Sequence, residues 1–370
     1  MRAWGTAALA FFLVGAACPA EAAPAAPAPV NVIATLPLRD GLHLGVNHAH
    51  IHQRGHGYGS DTSAREMDVL RKVGINAVAL TPFAYQDGAT ATQLAGYPPH
   101  GPPNDTLDAS LRGADLTAEI QQARARGLIV MVKPHLWSRD FWNGGEWQGT
   151  IRQETAEGHA RWWKSFRAFI LHYAALSQAA GAQWYCIGTE LRVMTTRHPE
   201  EWRVLVADVR KVFQGKVTYA AHWDGEFETI TFWDVLDAAG VNAYFPLAAA
   251  DDASPAALQA AWEPHVRRLN DWQARIQRPV IFTEVGYRTA KGTWRKPWED
   301  KGGAFDEAAQ AHAYEAMFTV FAPRTWWGGF YLWKTFTDPA RTSRWGDGDG
   351  FSFRNRAAER LLQRWLIPTR

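Results

Sequence analysis

Two short apolar stretches, QWYCIGTE at residues 183–190 and PVIFTE at residues 279–284, decide the fold, and each ends in a glutamate. Runs of apolar, β-branched and aromatic residues closed by a polar residue are typical of buried strands in a parallel sheet. In a β/α barrel, catalytic side chains lie at the C-terminal ends of the strands. Glu190 and Glu284 could be ordinary strand-end residues in ion pairs, but the shared Thr-Glu setting favours a catalytic pair.

Strand-like and helix-like patterns alternate from residue 42 onward, which indicates successive parallel βα units. Strands are predicted at 42–47, 75–81, 128–133, 184–188, 217–221, 239–243, 280–283 and 329–333. Helices are predicted at 63–73, 116–126, 154–178, 199–213, 255–275 and 306–321, with Asp115 and Ser254 as N-caps. Eight strands in one unbroken series predict an α/β fold that is a single (β/α)8 TIM barrel.

A doubly wound open sheet is the competing fold. Such sheets often have a glycine-rich phosphate turn after the first strand, whereas this chain has NHAHIH at residues 47–52. The long segments 84–112, 136–153, 288–305 and 335–351 all follow predicted strands. We therefore expect these segments on the C-terminal rim of a barrel, where their Gly, Trp and polar residues suit a substrate cleft.

The beginning of the chain is not expected to belong to the barrel. Residues 1–22 combine a basic start, a short apolar core and an A-x-A site, which predicts a signal peptide. Residues 23–37 form a Pro/Ala-rich linker, and the barrel domain is predicted to span 38–370. We therefore expect a secreted or periplasmic protein without a membrane span, with lipoprotein anchoring at Cys18 as the alternative.

The composition argues against some function classes. A formal net charge of +2 without a basic run or acidic tail argues against nucleic acid as the partner. Cys186 is the only cysteine besides Cys18, and its place in a predicted strand indicates a buried apolar residue. Indole rings stack on sugars as well as filling cores. Several of the 19 tryptophans lie in predicted loops, where a core role is less expected: Trp137, Trp142, Trp147, Trp223, Trp294, Trp298 and Trp345.

Two carboxylates that face one cleft are what cleavage of a glycosidic bond requires. Six motifs in this chain together resemble glycoside hydrolase family 113: KPH at 133–135, IGTEL at 187–191, FWDVLD at 232–237, NAYFPL at 242–247, FTEVGY at 282–287 and GFYLW at 329–333. The resemblance extends over nearly the whole chain after residue 37, in the family's order. It implies a retaining glycosidase that acts on β-1,4-mannan or glucomannan.

The resemblance also implies the roles of several residues. Glu190 would be the acid/base on strand four and Glu284 the nucleophile on strand seven, and the strand count places them there independently. The wider clan usually has Asn before the acid/base, where this chain has Thr189. Trp333 would form the floor of the subsite at the cleaved bond, with a packed barrel plug as the alternative.

Further residues at predicted strand ends or in the following loops could bind the substrate. Tyr244 is expected to donate a hydrogen bond to Glu284. The remaining substrate-binding candidates are polar or aromatic side chains expected to face the cleft: Lys133, His135, Trp137, His222, Trp223, Asn47 and His48.

Two other function classes remain open. One is a barrel that binds carbohydrate without catalysis. The other is a metal-dependent enzyme, because His48-x-His50 resembles the metal-binding start of amidohydrolases, with His222 and Asp338 as further ligands. Such a site also needs a His on strand six, where this chain has Asn242. The ligand set is therefore incomplete, and we predict neither a metal nor a cofactor.

Overall fold

A computed structural model describes residues 41–96, 112–138, 140–141, 145–340 and 350–367. The predicted signal peptide with Cys18, the predicted linker and the loop residues Trp142 and Trp345 lie outside the described residues. Among the helices of the described part of the chain, none is long and apolar enough to cross a membrane.

Eight parallel strands form a closed barrel in the order of the chain. Their bounds are His43–Ala49, Ala77–Leu80, Ile129–Val132, Trp184–Thr189, Lys216–His222, Ala239–Asn242, Val280–Val285 and Trp327–Phe336. The first strand pairs in parallel with both the second and the eighth, which closes the barrel. The predicted (β/α)8 barrel is thus confirmed, and all eight strands overlap the predicted segments.

Helices surround the barrel and cover the outer faces of the strands. Their bounds are Asp61–Val73, Gly113–Ala125, Ala156–Ala180, Arg192–Arg197, Pro199–Val212, Glu226–Thr229, Pro255–Ile276, Glu307–Phe321 and Ala357–Leu366, with short 3-10 turns at Gln148–Thr150 and Trp233–Val235. Strands such as Val280–Val285 are buried on both faces. They are therefore continuously apolar until the polar residues near their C-terminal ends.

The two predicted N-caps have different outcomes. The Ser254 side chain accepts a hydrogen bond from the Ala257 backbone N–H, so this prediction is confirmed. The prediction for Asp115 is wrong, because the helix begins at Gly113 and Asp115 lies within its first turn. The apolar pattern marks the buried face of that helix from residue 116, one turn after the helix begins, and thus misplaces the cap.

A second sheet extends the barrel rim and carries candidate site residues. The strands Phe83–Tyr85 and His135–Trp137 pair in parallel above the second and third barrel strands. Three-residue strands are too short to show a periodic pattern, so the sequence predicts this segment only as loop. The sheet fixes the backbone of His135 and Trp137, which would otherwise depend on an irregular connection.

Tryptophans supply much of the core between helices and strands. Among the described residues, seven indoles are at most 2% exposed: Trp162, Trp202, Trp233, Trp262, Trp272, Trp294 and Trp327. Trp294 corrects the expectation for loop tryptophans, because it is buried and its Nε1–H donates to the Ala250 carbonyl. Cys186 is fully buried in the fourth strand, as predicted.

Candidate active site

Glu190 directly follows the fourth barrel strand and has an unusual backbone conformation. Its φ of 54° lies in the left-handed region, which non-glycine residues rarely adopt. The Glu190 N–H donates to the Ala220 carbonyl at 2.8 Å. The next N–H, of Leu191, donates to the Tyr219 hydroxyl at 2.6 Å. The fifth strand thus holds Glu190 in a conformation that the local sequence would not favour.

The Glu190 carboxyl is buried and is contacted by two side-chain amides. Asn242 Nδ2 donates to its Oε1 and Gln148 Nε2 donates to its Oε2, both at 3.0 Å. Burial, followed by the negative charge of Glu284, raises the pKa of Glu190 to about 8. At neutral pH this carboxyl therefore holds its proton and can act as a general acid.

Glu284 lies in the seventh strand and has different partners. Its Oε1 accepts a hydrogen bond from Lys133 Nζ at 2.6 Å, and its Oε2 accepts one from the Tyr244 hydroxyl at 2.9 Å. The hydrogen bond expected from Tyr244 is therefore present. Nε2 of His135 lies 3.8 Å from Oε1. A buried cation and a phenol together stabilise the ionised carboxylate that a nucleophile requires.

One amide connects the two carboxyl groups. Asn242 donates to Glu190 through Nδ2, while its Oδ1 accepts a hydrogen bond from the Thr283 hydroxyl at 2.9 Å, next to Glu284. Asn242 and Gln148 are not among the site residues predicted from the sequence. Asn242 is a polar residue at the end of a buried strand, and this pattern could have identified it as a site residue. Gln148 lies in a rim segment without any local pattern.

Trp333 stacks with His135, which lies beside Glu284. Their rings are parallel within 8°, with centroids 6.1 Å apart. Trp333 is partly exposed, as a subsite floor requires, and Lys334 Nζ lies 4.8 Å from its ring centroid. Burial lowers the pKa of His135 well below its ordinary value, so its imidazole is neutral. In the described part of the chain its Nε2 has no hydrogen-bond partner.

Further aromatic side chains line the rim. Trp223 stacks on Trp298, with centroids 5.3 Å apart and planes within 15°. The His222 ring contacts Trp147 at a centroid distance of 4.8 Å. Trp137 and Trp298 are 39% and 41% exposed, more than the other indoles that the structure describes, so part of each ring surface is open to a ligand.

Asn47 and His48 are placed differently from the prediction. Asn47 is buried, and its Nδ2 donates to the carbonyls of Thr283 and Tyr331 at 3.1 and 3.3 Å. His48 is fully buried, and its two ring nitrogens lie within hydrogen-bond distance of hydroxyl groups on Thr335 and Ser63. These contacts connect barrel strands and the first helix. For His48 they involve both ring nitrogens, so structural contacts replace its predicted substrate contact.

The same contacts remove the metal-site alternative. His48 has no free ring nitrogen, and burial lowers its pKa to about 3. Asp338 instead pairs with His56, its Oδ2 lying 2.6 Å from Nδ1. Among the residues that the structure describes, His48, His50, His222 and Asp338 do not converge on a common point. The proposed amidohydrolase-like ligand set is therefore not assembled.

Comparisons with known proteins identify the family. The sequence model of the family Glycoside Hydrolase Family 113 matches residues 46–353 of this chain. The chain is similar to the solved GH113 β-mannanase AaManA from Alicyclobacillus acidocaldarius in complex with ManMIm, with a TM-score of 0.74 and 25% identity over 88% of this chain and 96% of that one. It is also similar to a GH113 β-1,4-mannanase with a TM-score of 0.73 and 23% identity over 88% of this chain and 98% of that one. None of the curated proteins matches. Because the family model covers most of its length, the chain belongs to glycoside hydrolase family 113 and is a glycoside hydrolase.

Proposed function

We propose that this enzyme hydrolyses β-1,4-mannan or glucomannan with retention of configuration, with Glu284 as the nucleophile and Glu190 as the acid/base. The observation that carries the proposal is the contrast between the two carboxyls. Lys133 and Tyr244 both donate hydrogen bonds to Glu284, whereas burial raises the pKa of Glu190 to about 8. One carboxyl beside a cation and one buried carboxyl with a raised pKa are the arrangement that double displacement uses.

In the first step, Glu284 attacks the anomeric carbon and forms a covalent glycosyl-enzyme. At the same time Glu190 gives its proton to the glycosidic oxygen, so that the leaving sugar departs as a neutral alcohol. In the second step, ionised Glu190 removes a proton from water, which attacks the anomeric carbon and releases Glu284. Two displacements at the same carbon restore the original configuration.

The coupling between the two carboxyls supports both roles of Glu190. The negative charge of Glu284 contributes to the raised pKa of Glu190. When Glu284 becomes an ester, that charge disappears and the pKa of Glu190 falls. Glu190 therefore gives up its proton more readily in the first step and remains ionised as the base for the second step.

The substrate assignment draws support from the cleft and from the named relatives. The solved relatives are described as β-mannanase and β-1,4-mannanase. The Thr189 hydroxyl, beside Glu190, is buried and has no partner among the described residues, so a sugar hydroxyl could complete its hydrogen bonding. Exposed indoles at Trp137 and Trp298 supply stacking surfaces for further sugar rings. A polymeric substrate also suits the secreted or periplasmic location that residues 1–22 predict.

Hydrolysis of a polysaccharide panel tests the proposal. We would measure reducing ends released from β-1,4-mannan, glucomannan, xylan and β-glucan by the wild type, Glu284→Gln and the control Glu200→Gln. Glu200 is an exposed carboxylate on an outer helix. We expect the wild type and Glu200→Gln to cleave mannan and glucomannan, and Glu284→Gln to lose more than ~1000-fold in kcat.

Each failure would identify a different error. Cleavage of xylan or β-glucan in place of mannan would overturn the substrate. Wild-type rates in Glu284→Gln would overturn the nucleophile. A folded wild type that cleaves none of the four polymers would favour the carbohydrate-binding barrel.

A further inference from the structure

Two histidines and a glutamate meet on the outer surface of the barrel, apart from the two carboxyls of the cleft. His159 lies in the first turn of the helix Ala156–Ala180, which follows the third barrel strand. His198 precedes the helix Pro199–Val212, and Glu201 lies in its first turn, after the fourth strand. These two helices contact each other. The cluster therefore joins two neighbouring βα units.

The three side chains present ligand atoms close together. His159 Nε2 lies 3.2 Å and His198 Nδ1 lies 3.8 Å from the same oxygen, Oε1 of Glu201. One ligand atom from each residue can be chosen so that all three lie within 4.8 Å of one another. A tetrahedral ion with ligands at about 2.0–2.2 Å separates them by about 3.3 Å. Small side-chain rotations would therefore bring these atoms to coordination distance.

The polar atoms of this cluster are only partly satisfied. The contact between His159 Nε2 and Glu201 is the only hydrogen bond that joins the three side chains within the described part of the chain. The imidazoles of His159 and His198 instead pack against each other, with centroids 4.1 Å apart. A cation bound by His159 Nε2, His198 Nδ1 and Glu201 Oε1 would replace this single hydrogen bond with three interactions.

We propose that His159, His198 and Glu201 bind a divalent transition-metal ion, with Zn²⁺ the best match. Zinc commonly binds imidazole nitrogens together with carboxylate oxygens, as two histidines and one glutamate would provide. Calcium and magnesium instead prefer sites made of oxygen ligands alone. The three side chains are 21%, 32% and 36% exposed, so water can reach the remaining coordination position. The ion would brace the two helices and takes no part in the proposed hydrolysis.

Metal titration of the full-length protein after exhaustive chelation tests this site. We would measure Zn²⁺ binding by calorimetry for the wild type, His159→Ala, Glu201→Gln and the control Glu200→Gln. Glu200 is the adjacent carboxylate, 82% exposed and outside the cluster. We expect one strong equivalent in the wild type and in Glu200→Gln. The affinity of His159→Ala and Glu201→Gln should be at least about tenfold lower.

Cobalt provides a spectroscopic check of the same site. Bound Co²⁺ in a tetrahedral site should give intense visible absorption in the wild type, and both cluster variants should lack it. Circular dichroism would verify that each variant folds. If His159→Ala does not fold, the near-isosteric Glu201→Gln alone tests whether the cluster binds the metal. Absence of a stoichiometric equivalent in the wild type would overturn the proposal. Unchanged affinity in a folded Glu201→Gln would do the same, because the metal would then bind elsewhere.

Discussion

At the scale of single residues, Glu190 and Glu284 begin with the same side chain and differ only in their surroundings. Lys133 places a buried ammonium 2.6 Å from Glu284, whereas Glu190 is contacted by the amides of Asn242 and Gln148. An ammonium favours a neighbouring negative charge far more than a neutral amide does. These partners give two identical side chains different environments, which the two proposed roles require.

The pH dependence of hydrolysis follows from the pKa of Glu190. Burial and the Glu284 charge raise that pKa from 4.5 to about 8. Since the first step needs protonated Glu190, we expect kcat/KM for mannan to fall as the pH rises through about 8. Initial rates between pH 5 and 10 would measure this limb. A decline that is already complete near pH 6 would contradict the assignment, provided that circular dichroism shows a folded enzyme.

At the scale of elements, the fifth strand and its following helix hold the backbone of Glu190, the proposed acid/base. The Tyr219 hydroxyl accepts from the Leu191 N–H and donates to Glu226 Oε1 at 2.7 Å. Glu226 is fully buried and also accepts hydrogen bonds from the Thr195 hydroxyl and the His222 N–H. In the proposed mechanism, Tyr219 and Glu226 are therefore positioning residues, which would act on the chemistry through Glu190.

Replacing Tyr219 by Phe should disturb catalysis more than substrate binding. The substitution keeps the ring but leaves the Leu191 N–H unpaired, which releases the left-handed conformation of Glu190. We expect kcat to fall about 10- to 100-fold, with KM changed less than about threefold. Steady-state kinetics on mannan would measure both values.

A matched control for that variant is Tyr185→Phe. The Tyr185 hydroxyl is equally buried and donates to the Ile170 carbonyl on the outer side of the barrel. This variant loses a buried hydrogen bond of the same kind without touching Glu190. Equal kcat values in the two variants would show that Tyr219 has only a general structural role.

Elements with a strong pattern could be predicted from the sequence, and weakly patterned ones could not. The eight barrel strands are predictable because both of their faces are buried, which requires continuous apolar runs. The strands Phe83–Tyr85 and His135–Trp137 escape prediction because pairing between distant segments, and not local composition, creates them. The start of the helix at Gly113 is missed because its first turn is not apolar.

At the scale of the whole molecule, closure of the barrel assembles the site. Lys133 follows the third strand, Glu190 the fourth, Asn242 ends the sixth and Glu284 lies in the seventh. The strand count alone could place the two glutamates on one rim. Which polar strand-end residues turn toward the cleft depends on three-dimensional packing. For that reason Asn242 is absent from the site residues predicted from the sequence, and His48, predicted to contact substrate, is fully buried.

Identification of the covalent intermediate tests the central claim most directly. A 2-deoxy-2-fluoro-β-mannosyl fluoride should label the nucleophile, because its 2-fluorine slows both steps while the good leaving group speeds only the first. The covalent intermediate should therefore accumulate. After protease digestion, mass spectrometry would locate the label. We predict one fluoromannosyl group on the peptide that contains Glu284. A label on another residue, or first products of inverted anomeric configuration in an NMR time course, would contradict the account.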